Sequence, residues 1–290
     1  MTLIDDWFAR GSMRSLLGHD VFVVDVPAVR EEAEPVLVLH GFPTSSFDWR
    51  LALDVLSARR RVVLLDYPGY GFSAKPNMKY SLFAGADIVE ACAREVGLTD
   101  VALVTHDVGD SIGGELLARD IDGALGFHVT RRVITNGSIY MDLVQLSDGQ
   151  KFLLGLPDEA LPEGSGLNAD GTAAGLQATF APGSAVDPSE LAAMAELVVR
   201  GGGGRLLPRI IRYIEERRVH ERRWTSAIES HPAPVHIIWG DLDPIAVWPM
   251  AQRLGERRAD ATTTRLHGVG HYPMVEAPER FNAALAKGLA

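Results

Sequence analysis

Asp107, Ser111, Asp243 and His271 are of types, and in an order along the chain, that could do covalent chemistry. The run Val104-Thr-His-Asp-Val-Gly-Asp-Ser-Ile-Gly113 contains one turn pattern in two frames. Gly109-Asp-Ser-Ile-Gly113 has the form of a serine-nucleophile elbow, whereas Thr105-His-Asp-Val-Gly109 puts Asp107 at the centre. A serine there would serve acyl transfer. An aspartate would attack carbon directly and form an alkyl ester.

The nucleophile of an elbow sits where a strand turns sharply into a helix. The apolar strand run starts at Val101 and ends near Thr105, so the apex falls on Asp107. Ser111 lies about one turn into the following helix, where a small packing residue also fits. Asp107 alone would equally suit a helix N-cap, and Asp110 a first-turn acid favoured by the helix dipole.

The other groups follow in the order nucleophile, acid, histidine. Trp239-Gly-Asp-Leu-Asp-Pro244 comes directly after an apolar strand run and offers Asp241 and Asp243. His271 lies in Gly268-Val-Gly-His-Tyr-Pro273, after the run Thr263–Leu266. His40-Gly-Phe-Pro43 follows the run Val36–Leu39, which places the amides of Phe42 and Val108 to form an oxyanion hole. His40 is expected to order its loop by hydrogen bonding. Asp66-Tyr-Pro-Gly-Tyr-Gly-Phe-Ser73 reads as a structural glycine-rich turn, and Asp48 and Trp49 open a helix.

These residues need elements to carry them. Short β-branched runs recur at 21–24, 36–39, 62–65, 101–104, 133–134 and 235–239, and from 36 onward most are continuously apolar. That pattern suits strands covered on both faces, as in a mostly parallel sheet. Helical periodicity lies between them, at 81–97 for example, so the expectation is an α/β fold. Strand signals vanish between about 137 and 229, where helical segments 189–200 and 206–229 stand instead. This predicts a core of residues 1–136 and 230–290 with an inserted helical cap, 137–229, and a last helix at 276–288. Gly201–Gly204 reads as a hinge or loose connection rather than a phosphate loop, because neither a preceding strand nor a following Lys-Ser/Thr is there. Glu215–Arg223 reads as a solvated helix face.

The 290 residues are ordinary in composition, with 47% hydrophobic and 23% charged, and carry a net charge of −10. That balance argues against nucleic acid and anionic membranes as partners. The single cysteine, Cys92, excludes an intrachain disulfide and a cysteine metal cluster. The start of the sequence has early acids and no apolar segment, and no run approaches a membrane span. The expectation is a cytoplasmic protein acting on a small, hydrophobic molecule, as a monomer or homodimer, without metal or cofactor.

Together, His40-Gly-Phe-Pro, Asp66-x-Pro-Gly-Tyr-Gly-x-Ser73, His106-Asp-Val-Gly109, Gly240-x-x-Asp243 and Gly270-His271 resemble the α/β-hydrolase superfamily. More narrowly, they resemble its aspartate-nucleophile branch of epoxide hydrolases and haloalkane dehalogenases. His40–Ser46, Thr105–Asp110, Arg222-Arg-Trp224 and His271-Tyr-Pro273 also look like the mesoderm-specific transcript protein group.

The resemblance implies Asp107 as nucleophile and His271 as base for the hydrolytic water, oriented by Asp243 through the branch's Gly-x-x-Asp spacing. Dehalogenases of the branch hold the halide with an Asn after His-Gly and a Trp after the nucleophile. Those positions are Phe42 and Val108 here, whose side chains donate nothing. Nor do Val108 and Ser111 match the arginine of fluoroacetate dehalogenases. His40-Gly-Phe-Pro favours the epoxide branch, whose cap supplies two tyrosine acids. Tyr213 matches the second, and it would equally suit a buried helix position. No Tyr or His occurs from 141 through 212 for the first, so Tyr140 is the substitute. Trp224 reads as cap packing. The expected reaction is hydrolysis of an epoxide to a diol. Its rivals are dehalogenation, a serine-type esterase through Ser111, and a non-catalytic binding protein on the same fold.

Overall fold

The structure is a computed structural model and describes residues 2–165 and 167–290. Eight strands form one sheet: β1 (Gly11–Leu16), β2 (His19–Val26), β3 (Val36–Leu39), β4 (Val62–Leu65), β5 (Asp100–His106), β6 (His128–Thr135), β7 (Val235–Gly240) and β8 (Thr262–Leu266). Their order is β1-β2-β4-β3-β5-β6-β7-β8. β2 is antiparallel to both neighbours, and every pairing from β4 onward is parallel.

Helices precede and link the strands. In the first part of the chain these are α1 (Leu3–Phe8), α2 (Leu53–Ser57), α3 (Leu82–Glu95) and α4 (Val108–Ile121). Between β6 and β7 stand α5 (Asp148–Gly155), α6 (Ala169–Gln177), α7 (Pro188–Val199), α8 (Leu207–Ile210) and α9 (Tyr213–Ser230). The chain closes with α10 (Trp248–Arg257), α11 (Pro273–Glu276) and α12 (Pro278–Gly288).

The continuously apolar strands follow from burial on both faces. Successive side chains point to opposite sides, so Leu37, Leu39, Leu103 and Ile134 enter one core with residues of α3, α4 and α9. Val36, Val38, Val104 and Val133 enter a second core with Trp7, Met194, Phe281 and Leu285. The strands β5 and β7, which position Asp107 and Asp243, are thus clamped from both sides, whereas β8, which leads to His271, is an edge strand that buries only Leu266.

Several local expectations change. β1 carries no apolar run, because as an edge strand it buries only Leu16. Asp48 and Trp49 lie in a 3-10 turn, Ser46–Trp49, rather than opening an α-helix. The segment 206–229 is two helices, α8 and α9, with α9 beginning at Tyr213. Gly201–Gly204 is a packed turn rather than a loose connection. Gly201 and Gly202 take φ of 59° and 84°, and a Cβ on Gly203 would stand 2.3 Å from the Val198 carbonyl oxygen. Only a residue without a side chain fits there.

Candidate active site

β5 ends at His106, and the chain turns into α4 through Asp107 at φ 50°, ψ −112°. A non-glycine residue in that region is strained, and such strain persists only where the surroundings enforce it. Here they do. A Cβ on Gly109 would meet the Leu39 carbonyl oxygen at 2.5 Å, and one on Gly41 would meet the Asp107 Cβ at 2.9 Å. The end of β3 and the head of α4 therefore pass at glycine distance, with Asp107 at the apex.

The Asp107 carboxyl group is buried and asymmetric. The Phe42 amide donates to Oδ2 at 2.8 Å, while Oδ1 has no hydrogen-bond partner. Val108 is the first residue of α4, so its amide is among those that a helix N-terminus leaves without an intrahelical acceptor. Ser111 sits in the second turn of α4 and accepts a hydrogen bond from Arg217 Nε at 2.7 Å. The aspartate, not the serine, occupies the elbow.

Asp243 and His271 come from the ends of β7 and β8. His271 Nδ1 pairs with Asp243 Oδ2 at 2.7 Å. Asp243 Oδ1 accepts from the amides of Ile245 and Ala246 at 2.7 and 3.0 Å. Asp241 is spent elsewhere, on Arg265, His267 and the Gly268 amide. Burial disfavours the His271 imidazolium, but the Asp243 charge and hydrogen bond and the nearby Asp107 charge outweigh it, raising its pKa to about 9.

The loops around these residues are held partly by groups that sequence reasoning missed, Asn136, Glu276, His106 and Tyr272, and partly by His40 and Asp66, for which a structural role was expected. Asn136, at φ 45° just after β6, donates to Asp243 Oδ2 at 2.7 Å and accepts from the Gly240 amide at 2.9 Å. The Asn136-Gly137 pair is a turn signal that could have marked the place, though not the bond. Glu276 accepts from the amides of Ala181, Gly270 and Tyr272, which fixes the His271 loop. His106 meets the His271 carbonyl through Nε2 at 2.8 Å, and burial together with the His271 charge pushes its pKa down to about 3. Tyr272 donates to the Phe42 carbonyl at 3.1 Å. His40 orders its loop: Nδ1 bonds the Gly41 carbonyl at 2.8 Å and Nε2 accepts from the Tyr67 amide at 3.4 Å. Asp66 staples the glycine-rich turn to the same loop through the amides of Ser46 and Phe72.

Two cavities lie beside the elbow, lined by Val108 in one case and Phe42 in the other rather than by Asp107 itself. One, of about 130 Å³, is lined by Val108, Ile112, Tyr70, Tyr80, Ile210 and Tyr213. The other, of about 140 Å³, is lined by Phe42, Gln150, Leu153, Leu176, His271 and Tyr272. The rings of Phe42 and Tyr213 lie 5.3 Å apart between them. The Tyr213 hydroxyl is buried and has no hydrogen-bond partner. Burial first, then the Asp107 charge, keeps its phenol protonated well beyond ordinary pH.

Tyr140 is not brought to this place. Its hydroxyl donates to Glu229 at 2.9 Å, Arg253 lies over its ring, and it lines neither cavity. The exit of β6 turns it toward the far end of α9. Trp224 packs between α4 and α9 and donates to Glu115 at 2.9 Å. The expected solvated face 215–223 is only partly so, because Arg217 is buried on the side that carries Tyr213. Among the described residues, no group of three or more His, Cys, Asp or Glu could hold a metal ion, and no helix is long and apolar enough to cross a membrane.

The arrangement can present one free carboxylate oxygen to a carbon, neutralise the other, and hold an imidazole base beside it. Comparison with known proteins agrees in fold. The sequence pattern of the alpha/beta hydrolase family matches residues 36–284. LipZ of Mycobacterium tuberculosis, which carries a hydrolase name, is 35% identical over 285 residues, covering 97% of this chain and 96% of its own. The mesoderm-specific transcript protein of Mus musculus is 32% identical over 287 residues, covering 96% of this chain and 85% of its own. A haloalkane dehalogenase of Agrobacterium fabrum is 31% identical over 144 residues, covering 47% and 46%. Among solved structures, an alpha/beta hydrolase fold protein from Burkholderia ambifaria superposes with a TM-score of 0.74 at 23% identity, covering 94% of this chain and 96% of that one.

Proposed function

The chain belongs to the alpha/beta hydrolase family, and from that premise we propose that it hydrolyses epoxides to diols through an ester on Asp107. Asp107 Oδ1 attacks an epoxide carbon, and the C–O bond of the ring breaks. Tyr213 supplies the proton to the departing oxygen. The Phe42 and Val108 amides then hold the ester carbonyl oxygen as it gains charge. His271, oriented by Asp243, takes a proton from water, and the hydroxide adds to the ester carbonyl carbon. Collapse releases the diol and restores the Asp107 carboxylate, with the carboxyl proton passing to the second alcohol oxygen. The helical segment 137–229 acts as a cap over a core of 1–136 and 230–290, and the largely apolar cavities suit a small hydrophobic substrate.

The observation that carries this reading is the division of labour on one carboxyl group: Oδ2 engaged by the Phe42 amide, Oδ1 free. A serine esterase is disfavoured because Ser111 Oγ is tied to Arg217. A halide is disfavoured as leaving group because Phe42 and Val108 bring no side-chain N–H to it. The test is a His271→Gln variant incubated with panels of epoxides and haloalkanes. Intact mass should rise by the mass of the epoxide, with the added group mapping to Asp107. Adducts from haloalkanes alone, or none on Asp107, would refute it.

A further inference from the structure

Arg217 is a buried cation, and among the described residues no carboxylate stands within salt-bridge distance of it. It lies on α9, one turn after Tyr213, so the two side chains share a face. Its Nε donates to Ser111 Oγ at 2.7 Å, its guanidinium carbon stands 5.0 Å over the Tyr213 ring, and its Nη2 is buried with no partner. Leaving a guanidinium dry and unpaired is costly unless an anion arrives. The neighbouring groups narrow down which anion that is. Asp110 on α4 faces the same region, but burial pushes its carboxyl well above the usual range and it shares a hydrogen bond with Thr105. Gln150 on α5 is uncharged. Asp107 charge opposes ionisation of Tyr213, whereas Arg217 favours it.

We propose that Arg217 is a positioning residue for Tyr213: held by Ser111, its guanidinium stabilises the phenolate that forms when Tyr213 protonates the opening epoxide oxygen. The step balances. The epoxide C–O bond breaks, the Asp107 Oδ1–C bond forms, and one proton moves from the phenol to the alkoxide. The phenolate recovers its proton through solvent from the imidazolium that His271 becomes in the second half-reaction. One tyrosine backed by a buried cation thus stands where the relatives implied by the sequence use two tyrosines. Ser111 gains a role as the post that holds the cation. The inference rests on the proposed reaction for its chemistry, but the pairing can be read without any substrate.

The experiment replaces Tyr213, in the full chain, with a fluorinated tyrosine of low phenol pKa and follows the phenolate absorbance against pH. In Arg217→Met the midpoint should rise by about one unit or more, as removal of a cation at this range does. Arg217→Lys should stay near the parent value and also serves should the methionine variant fold poorly. In the chain with its natural tyrosine, Arg217→Met should slow ester formation from an epoxide about 10- to 100-fold, and Arg217→Lys should restore most of it. A midpoint unmoved in a folded Arg217→Met variant would overturn the inference. A shifted midpoint in a protein that forms no ester with any epoxide would keep the pairing and sink the proposed reaction instead.

Discussion

Asn136 donates to the same Oδ2 of Asp243 that faces Nδ1 of His271, at 2.7 Å in each case. The acid is therefore not free to follow the imidazole. Two backbone amides hold its other oxygen, and Asn136 holds this one. The direction of His271 is set by the ends of β6 and β7 rather than by its own loop alone. Removing the amide while keeping the backbone relaxed is best done with Asn136→Gly, since φ of 45° suits glycine. The loss of these buried hydrogen bonds should cost about 1–3 kcal/mol of stability. Ester hydrolysis should slow while ester formation is largely kept, as rapid-quench measurement of each step would show.

The two half-reactions should also differ in their response to pH. His271 starts with a pKa raised to about 9, in part by the Asp107 charge. Esterification removes that charge, so the pKa falls in the intermediate. Hydrolysis of a preformed ester should therefore rise with pH to a plateau, with a midpoint below about 9. Ester formation should lack that rise. The same group shapes stability with the opposite sign. Its folded pKa lies above the ordinary histidine value of about 6.5, so its contribution is complete below about 6.5 and is lost as pH climbs through about 9. Denaturant midpoints across that window, with His271→Gln as the flat control, measure it.

Asp107→Asn and Ser111→Ala separate the two frames of the elbow. With Asp107 as nucleophile, the first should cost about 10⁴-fold or more in turnover, as loss of a nucleophile does. The second loosens Arg217 and should cost about 100-fold or less, the scale of a lost hydrogen bond to a charged group. The reverse ranking in steady-state assays would restore the serine frame.

The elbow could be found in the sequence because a strand signal ends where the nucleophile belongs. Only spacing distinguishes Asp243 from Asp241 in the sequence; in the fold Asp243 faces His271, and Asp241 sits on the outer strand side with Arg265 and His267. Tyr140 was misplaced because a tyrosine five residues past a strand can leave by either side, and periodicity does not say which. β1 was invisible since an edge strand with one buried residue has no apolar pattern to read. Arg217 was hidden for the opposite reason. Its run is so charged that a solvated face is the natural inference, and only the packing of α9 on α4 turns one arginine of that run inward.

Gly109→Ala tests whether the approach of β3 to α4 is obligatory. The new methyl would overlap the Leu39 carbonyl group, with the oxygen at 2.5 Å and the carbon at 2.9 Å, both backbone atoms that cannot swing aside. A cost of about 1–3 kcal/mol is expected from overpacking, together with loss of ester formation, because Asp107 must shift to make room. Gly97→Ala meets no atom within 4 Å but sits at φ 73°, so it should destabilise through the backbone alone and leave kinetics unchanged. Thermal melts and burst kinetics on the pair distinguish the two effects.

Tyr213→Phe should separate catalysis from stability. The Tyr213 hydroxyl is buried and meets at most a weak polar contact from Gln150, so the folded protein gains little from it that offsets its desolvation. The ring contacts with Phe42 and Arg217 survive the change. The variant should therefore melt at or slightly above the parent temperature. Its ester formation with an epoxide should nonetheless fall about 10²- to 10⁴-fold, the usual contribution of a placed general acid. A destabilised variant with unchanged epoxide kinetics would make Tyr213 a packing residue and move the search for the acid to the second cavity, where Gln150 and Tyr272 stand beside His271.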